Sequence, residues 1–435
     1  MPFRSPYDRE IATLAVPALG TLIAEPLYLV ANTAVVGHLG TDELAGLALA
    51  STVLLTVHAL TIFLAYGTTS QVARLIGAGR TEDAAHRSVQ ALWLAAGLGT
   101  VGLLSLGITG GSLLRLLGGE GRVLEAGTLY LRISLLGLPF MLVLLAANGS
   151  FHGRQNTRLP LLLAVTGAAL NLTIELVLIY GFGYGIGASA LATLIAKTTT
   201  AGVGLVLVLG WARSHHVRLE PDRGEMTDLM RVGGALVVRT AALRGSFTLS
   251  VAIAGRMGAA EVASHQIALQ LWGLLALALD SVAIAGQSIT GRWLGRGDPI
   301  RARGAAHRMI EIDVGLGVVL GLVILVARHP IAAVFTDDAV VVSTTASLLL
   351  AVALHQPVGG LVFALDGILI GAGDFRYLAR SMVVSGAIFA ALALSLNSAG
   401  LGLLWLWAAL GVLMITRAVA LWLRWQSSEW LRLGA

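Results

Sequence analysis

The chain has 435 residues, 56% of them hydrophobic and only 12% charged, with 29 basic against 24 acidic side chains and a mean hydropathy of +0.83. An average soluble domain is about 25% charged, so this composition excludes a soluble globular protein. Its basic residues flank apolar runs instead of forming a patch, which excludes a nucleic-acid binder. The absence of Cys removes disulfides, thiolate chemistry and Cys metal sites.

The opening stretch MPFRSPYDRE is polar and leads into a full-length apolar run, so no cleavable signal is expected. Apolar runs between charged or Gly/Pro-rich breaks then predict helices in chain order. The first six lie near 10–37, 42–74, 83–109, 122–147, 158–181 and 187–212; the next six near 226–255, 260–292, 301–327, 338–367, 376–396 and 401–425. Each can cross a hydrocarbon layer of about 30 Å, and the longest imply tilt, kinks or extension beyond it. With the N-terminus inside, twenty Arg residues fall on the inner side and four on the outer. That bias predicts both termini in the cytoplasm of a cell-membrane protein. The charged, His-containing segment 213–225 reads as a solvated linker between an N-terminal lobe, 1–212, and a C-terminal lobe, 226–435.

The chain also repeats itself once in a fixed register. Gly37-His38-Leu39-Gly40-x-x-Glu43 returns as Gly255-Arg256-Met257-Gly258-x-x-Glu261, an offset of 255 − 37 = 218. Arg74-x-x-Gly77-x-Gly79 returns as Arg292-x-x-Gly295-x-Gly297, and Pro139, Gly149, Gly153 and Arg158 map to Pro357, Gly367, Gly371 and Arg376. Six helices is an even number, so both copies enter from the same side and are related by a two-fold axis along the membrane normal. The expected fold is an all-α integral membrane protein of twelve transmembrane helices in two pseudo-two-fold-related six-helix bundles around a cleft.

Several longer motifs carry a resemblance. They are Ala24-Glu25-Pro26 with Asn32-Thr-Ala-Val-Val-Gly-His-Leu-Gly40, Asn171-x-x-x-Glu175, and Gly185-Ile-Gly187-Ala-Ser-Ala-Leu-Ala-Thr193. In the second half stand Ala263-Ser-His265-Gln266-Ile-Ala-Leu-Gln270-Leu-Trp272 and Leu365-Asp366-Gly367-Ile-Leu-Ile-Gly-Ala-Gly-Asp374. In this order they resemble the multidrug and toxic compound extrusion (MATE) transporters, in particular their DinF-like branch. The resemblance implies export of small, often cationic or amphipathic organic compounds, driven by inward proton or sodium flow. It also implies Asp at the position of Asn32, where the branch places its proton acceptor. Asn cannot titrate, so natural divergence, an engineered substitution and coupling through neighbouring carboxylates all stand as readings.

Charges inside the hydrocarbon are costly and mark candidate sites. Glu25, Asn32, Asn171 and Glu175 form the candidate cation-coupling cluster, seven and four residues apart on their helix faces. Buried carboxylates placed together share a proton, and the same oxygens suit sodium. Against this stands a plain stabilising pairing of Glu25 and Glu175 with Lys197 or Arg132. Asp280, Asp366, Arg239 and Arg244 are secondary candidates, with a static Arg–Asp pair an equal alternative; Arg417 receives no role. Tyr28, Tyr66, Phe247, His265, Gln266 and Trp272 are candidate substrate contacts, since aromatic faces attract organic cations, although His265 also reads as a satisfied packing histidine. Trp405, Trp407, Trp422, Trp425 and Trp430 read as interface belts. No phosphate loop, metalloenzyme signature or nucleophile elbow is visible, so neither ATP-driven export nor an enzyme is expected. No cofactor is expected, no metal beyond a sodium ion, and a monomer. The leading expectation is a cation-coupled efflux antiporter working by alternating access; the alternatives are a lipid- or polysaccharide-precursor flippase and a coupling-deficient membrane scaffold.

Overall fold

The computed structural model describes residues 5–434, which form helices joined by short turns with no strand among them. The first half contains α1 (Asp8–Gly37), α2 (Thr41–Thr61), α3 (Phe63–Gly77), α4 (Thr81–Leu116), α5 (Gly121–Leu136), α6 (Leu138–Gly153), α7 (Arg158–Leu176) and α8 (Ile186–Ser214). The second contains α9 (Arg223–Met257), α10 (Ala259–Gly295), α11 (Pro299–Phe335), α12 (Ala339–Gly371), α13 (Phe375–Ser398) and α14 (Leu403–Ser427). Among the described residues, eleven segments are long and apolar enough to cross a membrane, and the bent pair α5–α6 makes twelve.

Each predicted span has its counterpart, and two are broken. The second span divides at Ile62 into α2 and α3. The fourth bends by 49° between α5 and α6 at Gly137, two residues before Pro139, which has no N–H for the preceding turn. A π-turn at Val177–Gly181 extends α7.

The repeated glycines have a packing cause. A Cβ on Gly149 would stand 2.5 Å from the Ala65 carbonyl oxygen, and one on Gly367 would stand 2.4 Å from that of Ala283. Only glycine permits α6 to approach α3, and α12 to approach α10, this closely. Gly79 and Gly297 adopt φ of 77° and 74°, closing equivalent left-handed helix ends in which Arg80 N donates to Leu75 O and Asp298 N to Trp293 O.

The chain forms two compact units, one of Val16–Gly233 and the other of Gly234–Ala435 together with the residues before Val16. They part inside α1 and α9, at repeat-equivalent positions. The start of α1 accordingly pairs with the second unit: Asp8 accepts from Arg308 at 2.6 and 3.1 Å, and Glu10 stands 3.5 Å from Arg292. The segment read from sequence as a solvated linker is hydrogen-bonded to α4. Gln90 donates to Glu220 O at 2.9 Å and accepts from Asp222 N at 2.8 Å, while Trp93 Nε1 donates to Leu219 O. Arg87 forms an ion pair with Glu225. Three of the five tryptophans expected at the interface are instead packed in protein: Trp407, Trp425 and Trp430 are buried, the last two stacked 4.9 Å apart.

Candidate functional site

The Val16–Gly233 unit brings α1, α5, α7 and α8 together around a buried polar network. Asn32 comes from α1, Asn171 and Glu175 from adjacent turns of one face of α7, and Ser189 and Thr193 from adjacent turns of α8. Glu175 is fully buried. A carboxylate only accepts hydrogen bonds, so the Asn32 amide turns its nitrogen toward it, donating at 2.5 Å to Oε1 and 3.2 Å to Oε2. The same nitrogen lies 2.6 Å from Ser189 Oγ, which is also within hydrogen-bonding reach of Glu175. No Lys, Arg or His pairs with Glu175 among the described residues.

The network continues outward. Asn171 Nδ2 donates to Thr193 Oγ1 at 3.0 Å and to Tyr28 Oη at 3.4 Å, and the two hydroxyls stand 2.8 Å apart. Tyr130 of α5 is buried with its hydroxyl near Thr193 and Asn32. Asn171 Oδ1 is a buried acceptor with no protein partner, and Asn171 lines a void of about 100 Å3. That void and a second of about 80 Å3 share Glu25, Tyr28 and Lys197 as walls. Buried polar atoms are normally paired, so an orphaned oxygen on a cavity wall is placed to accept from water or a bound ion.

The four candidate coupling residues do not all meet. Asn32, Asn171 and Glu175 join one network, whereas Glu25 lies beyond Tyr28 and pairs with Lys197 at 3.5 Å. The pairing alternative thus describes Glu25 and not Glu175, and Arg132 is exposed. Ser189, Thr193 and Tyr130 were missed. The first two lie four residues apart within a quoted motif, a spacing that sets them on one helix face toward Asn32 and Asn171; nothing in the sequence singled out Tyr130.

The secondary candidates lie in the other unit. Asp366 Oδ2 accepts from Arg239 and from Arg417, each at 2.6 Å. Arg417, buried in α14, therefore has a partner that sequence reading did not give it, while Arg244 is exposed and outside this group. Of the aromatic candidates there, Phe247 meets Trp272 edge-on at 5.1 Å. His265 is fully engaged: Trp407 Nε1 donates to Nδ1 at 3.1 Å, which leaves Nε2 to donate to Ser250 Oγ at 3.1 Å. Both ring nitrogens of this buried histidine are thus occupied by neighbours. Gln266 is exposed and Tyr66 half-buried; of the aromatic candidates, Tyr28 is the one on the voids described above.

The MatE sequence profile matches residues 17–177 and 236–395, once in each repeat. The chain belongs to the MatE family. It is similar to Protein DETOXIFICATION 44, chloroplastic, of Arabidopsis thaliana, with 32% identity over 426 residues, 94% of this chain and 81% of that protein. DNA damage-inducible protein F of Escherichia coli (strain K12) is 29% identical over 440 residues, covering 99% of this chain and 95% of its own. The fold matches that of a multidrug resistance MATE family transporter solved in an outward-facing conformation, with TM-score 0.89, 23% identity and coverage of 98% and 96%. A Vibrio cholerae MATE transporter gives TM-score 0.89 at 21% identity, covering 97% of each chain. As a MatE protein the chain is a multi-pass membrane transporter, as its motifs implied.

Proposed function

We propose that this MatE protein is a cation-coupled efflux antiporter, exporting small organic, often cationic or amphipathic compounds against inward proton or sodium flow. In this reading it sits in the cell membrane with both termini cytoplasmic and works as a monomer. The observation that supports the reading is Glu175: a fully buried acid, held by an amide and a hydroxyl and paired with no cationic side chain among the described residues, beside the orphaned oxygen of Asn171. Such a group holds a proton or a cation, because an unpaired buried charge costs several kcal/mol. Binding and release of that ion bias the equilibrium between transporter states, and antiport requires substrate to bias it the other way. Glu25 and Tyr28, on the walls of both voids, supply a negative charge and an aromatic face for a cationic compound.

The fixed Asn32 amide gives the reading a definite form. Since Asn32 cannot titrate where the DinF-like resemblance implies Asp, Glu175 carries the coupling and Asn32 positions it. The test is export of an organic-cation dye from proteoliposomes under an imposed proton or sodium gradient. Dye movement that ignores both gradients overturns the proposal. So does a Glu175→Gln variant whose ion dependence equals that of the native chain.

A further inference from the structure

We propose that the turn between α10 and α11 is a seat for the phosphate of an anionic membrane lipid, built on Trp293 and the guanidiniums of Arg292, Arg296 and Arg301. Trp293 is nine-tenths buried. The three guanidinium carbons stand 5.9, 5.1 and 5.0 Å from the centre of its ring. An aromatic face attracts each cation, yet one indole has only two faces, so the three charges are crowded together. A guanidinium held against a ring keeps the N–H groups at its edge for an acceptor, and that planar fork matches a phosphate.

The carboxylates of this turn balance only part of the charge. Arg292 reaches Glu10 at 3.5 Å and Arg301 reaches Asp298 at 3.4 Å. Asp298 is also engaged as the cap of α11, accepting from Arg301 N at 2.9 Å. Arg296 is exposed and pairs with no carboxylate among the described residues. Three positive charges against two negative leave 3 − 2 = +1, the complement of one phosphodiester. The Trp293 Nε1–H is a further donor of the same ring, buried with no acceptor among the described residues.

The first unit carries the same turn without this chemistry. Gly79 and Gly297 adopt matching φ of 77° and 74°, but the repeat offset carries Trp293, Arg296 and Arg301 onto Leu75, Ala78 and Asp83. There Arg80 pairs with Asp83 at 2.7 Å. Residues 74–83 hold two basic and two acidic side chains, against three and one in 292–301, so the turn itself does not require the positive excess. Ile300, 83% exposed, stands where the first unit has Glu82. Both α10 and α11 are membrane spans, so the turn joining them emerges at a headgroup layer. An exposed apolar side chain among guanidiniums suits a phosphate that carries acyl chains better than one free in water.

Native mass spectrometry of the delipidated full-length protein in detergent, titrated with phosphatidylglycerol or phosphatidylcholine, tests this without a transport assay. The native chain is expected to retain phosphatidylglycerol in preference. Arg296→Gln and Arg301→Gln, both at exposed positions, are each expected to weaken that binding about fivefold. Arg80→Gln, at the equivalent turn of the first unit, is expected to leave it unchanged. Equal binding of the two lipids overturns the proposal, and so does native-like phosphatidylglycerol binding in the double variant Arg296→Gln, Arg301→Gln. Inorganic phosphate binding as tightly as phosphatidylglycerol, and lost in the same variants, assigns the seat to a free anion and overturns the lipid.

Discussion

The two units use the same address in opposite ways. Adding the repeat offset of 218 to Asn32, Asn171, Glu175 and Ser189 gives Ser250, Phe389, Ala393 and Trp407. In the first unit those positions hold a polar network beside voids. In the second, Phe389 and Trp407 are fully buried and fill the equivalent space, with the Trp407 indole bonded to His265. The second unit then places its charges elsewhere, as the tight Asp366–Arg239–Arg417 group. Duplication fixes the helices and the glycines that let them approach, but not the chemistry within. The polar network beside voids occurs in one copy of the fold and not at the equivalent positions of the other.

The comparison breaks most severely if the plug is removed. Trp407→Ala is expected to cost about 3–5 kcal/mol through the cavity it leaves, read as a lower thermal midpoint in detergent; Ser189→Ala at the equivalent site is expected to change it little. Asp366→Leu leaves two buried guanidiniums without their shared carboxylate and is expected to cost about 3 kcal/mol or more in the same measurement. A smaller effect on stability but a decisive one on activity is expected from Glu175→Gln: loss of at least about tenfold in gradient-driven export, roughly 1.4 kcal/mol, with the fold intact.

Asn32→Asp sharpens the contrast further. It sets a second carboxyl 2.5 Å from Glu175 Oε1, so the pair must share a proton. Export is expected to become more steeply pH-dependent, measured as the pH profile of dye efflux in liposomes. The smallest effect belongs to Lys197→Gln. Its pair with Glu25 is 3.5 Å long and both side chains are half-buried on the void walls, so the stability loss is expected to be about 1 kcal/mol. A change in which dyes are exported is the more informative readout for that variant.

The sequence made the architecture legible because apolar run length and Arg bias are one-dimensional signals. All twelve spans lay where those runs predicted, and Gly149 and Gly367 declared their close contacts by recurring. The breaks at Ile62 and Gly137 were less visible, since a bent span has the same composition as a straight one. Within the site, Asn32, Asn171 and Glu175 stood out as polar residues in apolar helices. Tyr130 did not, because an aromatic in a membrane helix ordinarily packs against its neighbours. Arg417 gained a role only when folding placed α12 beside α14, a pairing across 51 residues.

The exchanged helix ends have a consequence for any half-length fragment of the chain. Residues 8–15 and their counterparts 226–233 each group with the unit that contains the other repeat, about two helical turns apiece. A lone copy of the repeat would carry that arm with nothing of its own to dock on. A fragment made by cutting the connector at 213–225 would carry an arm parted from the unit it groups with.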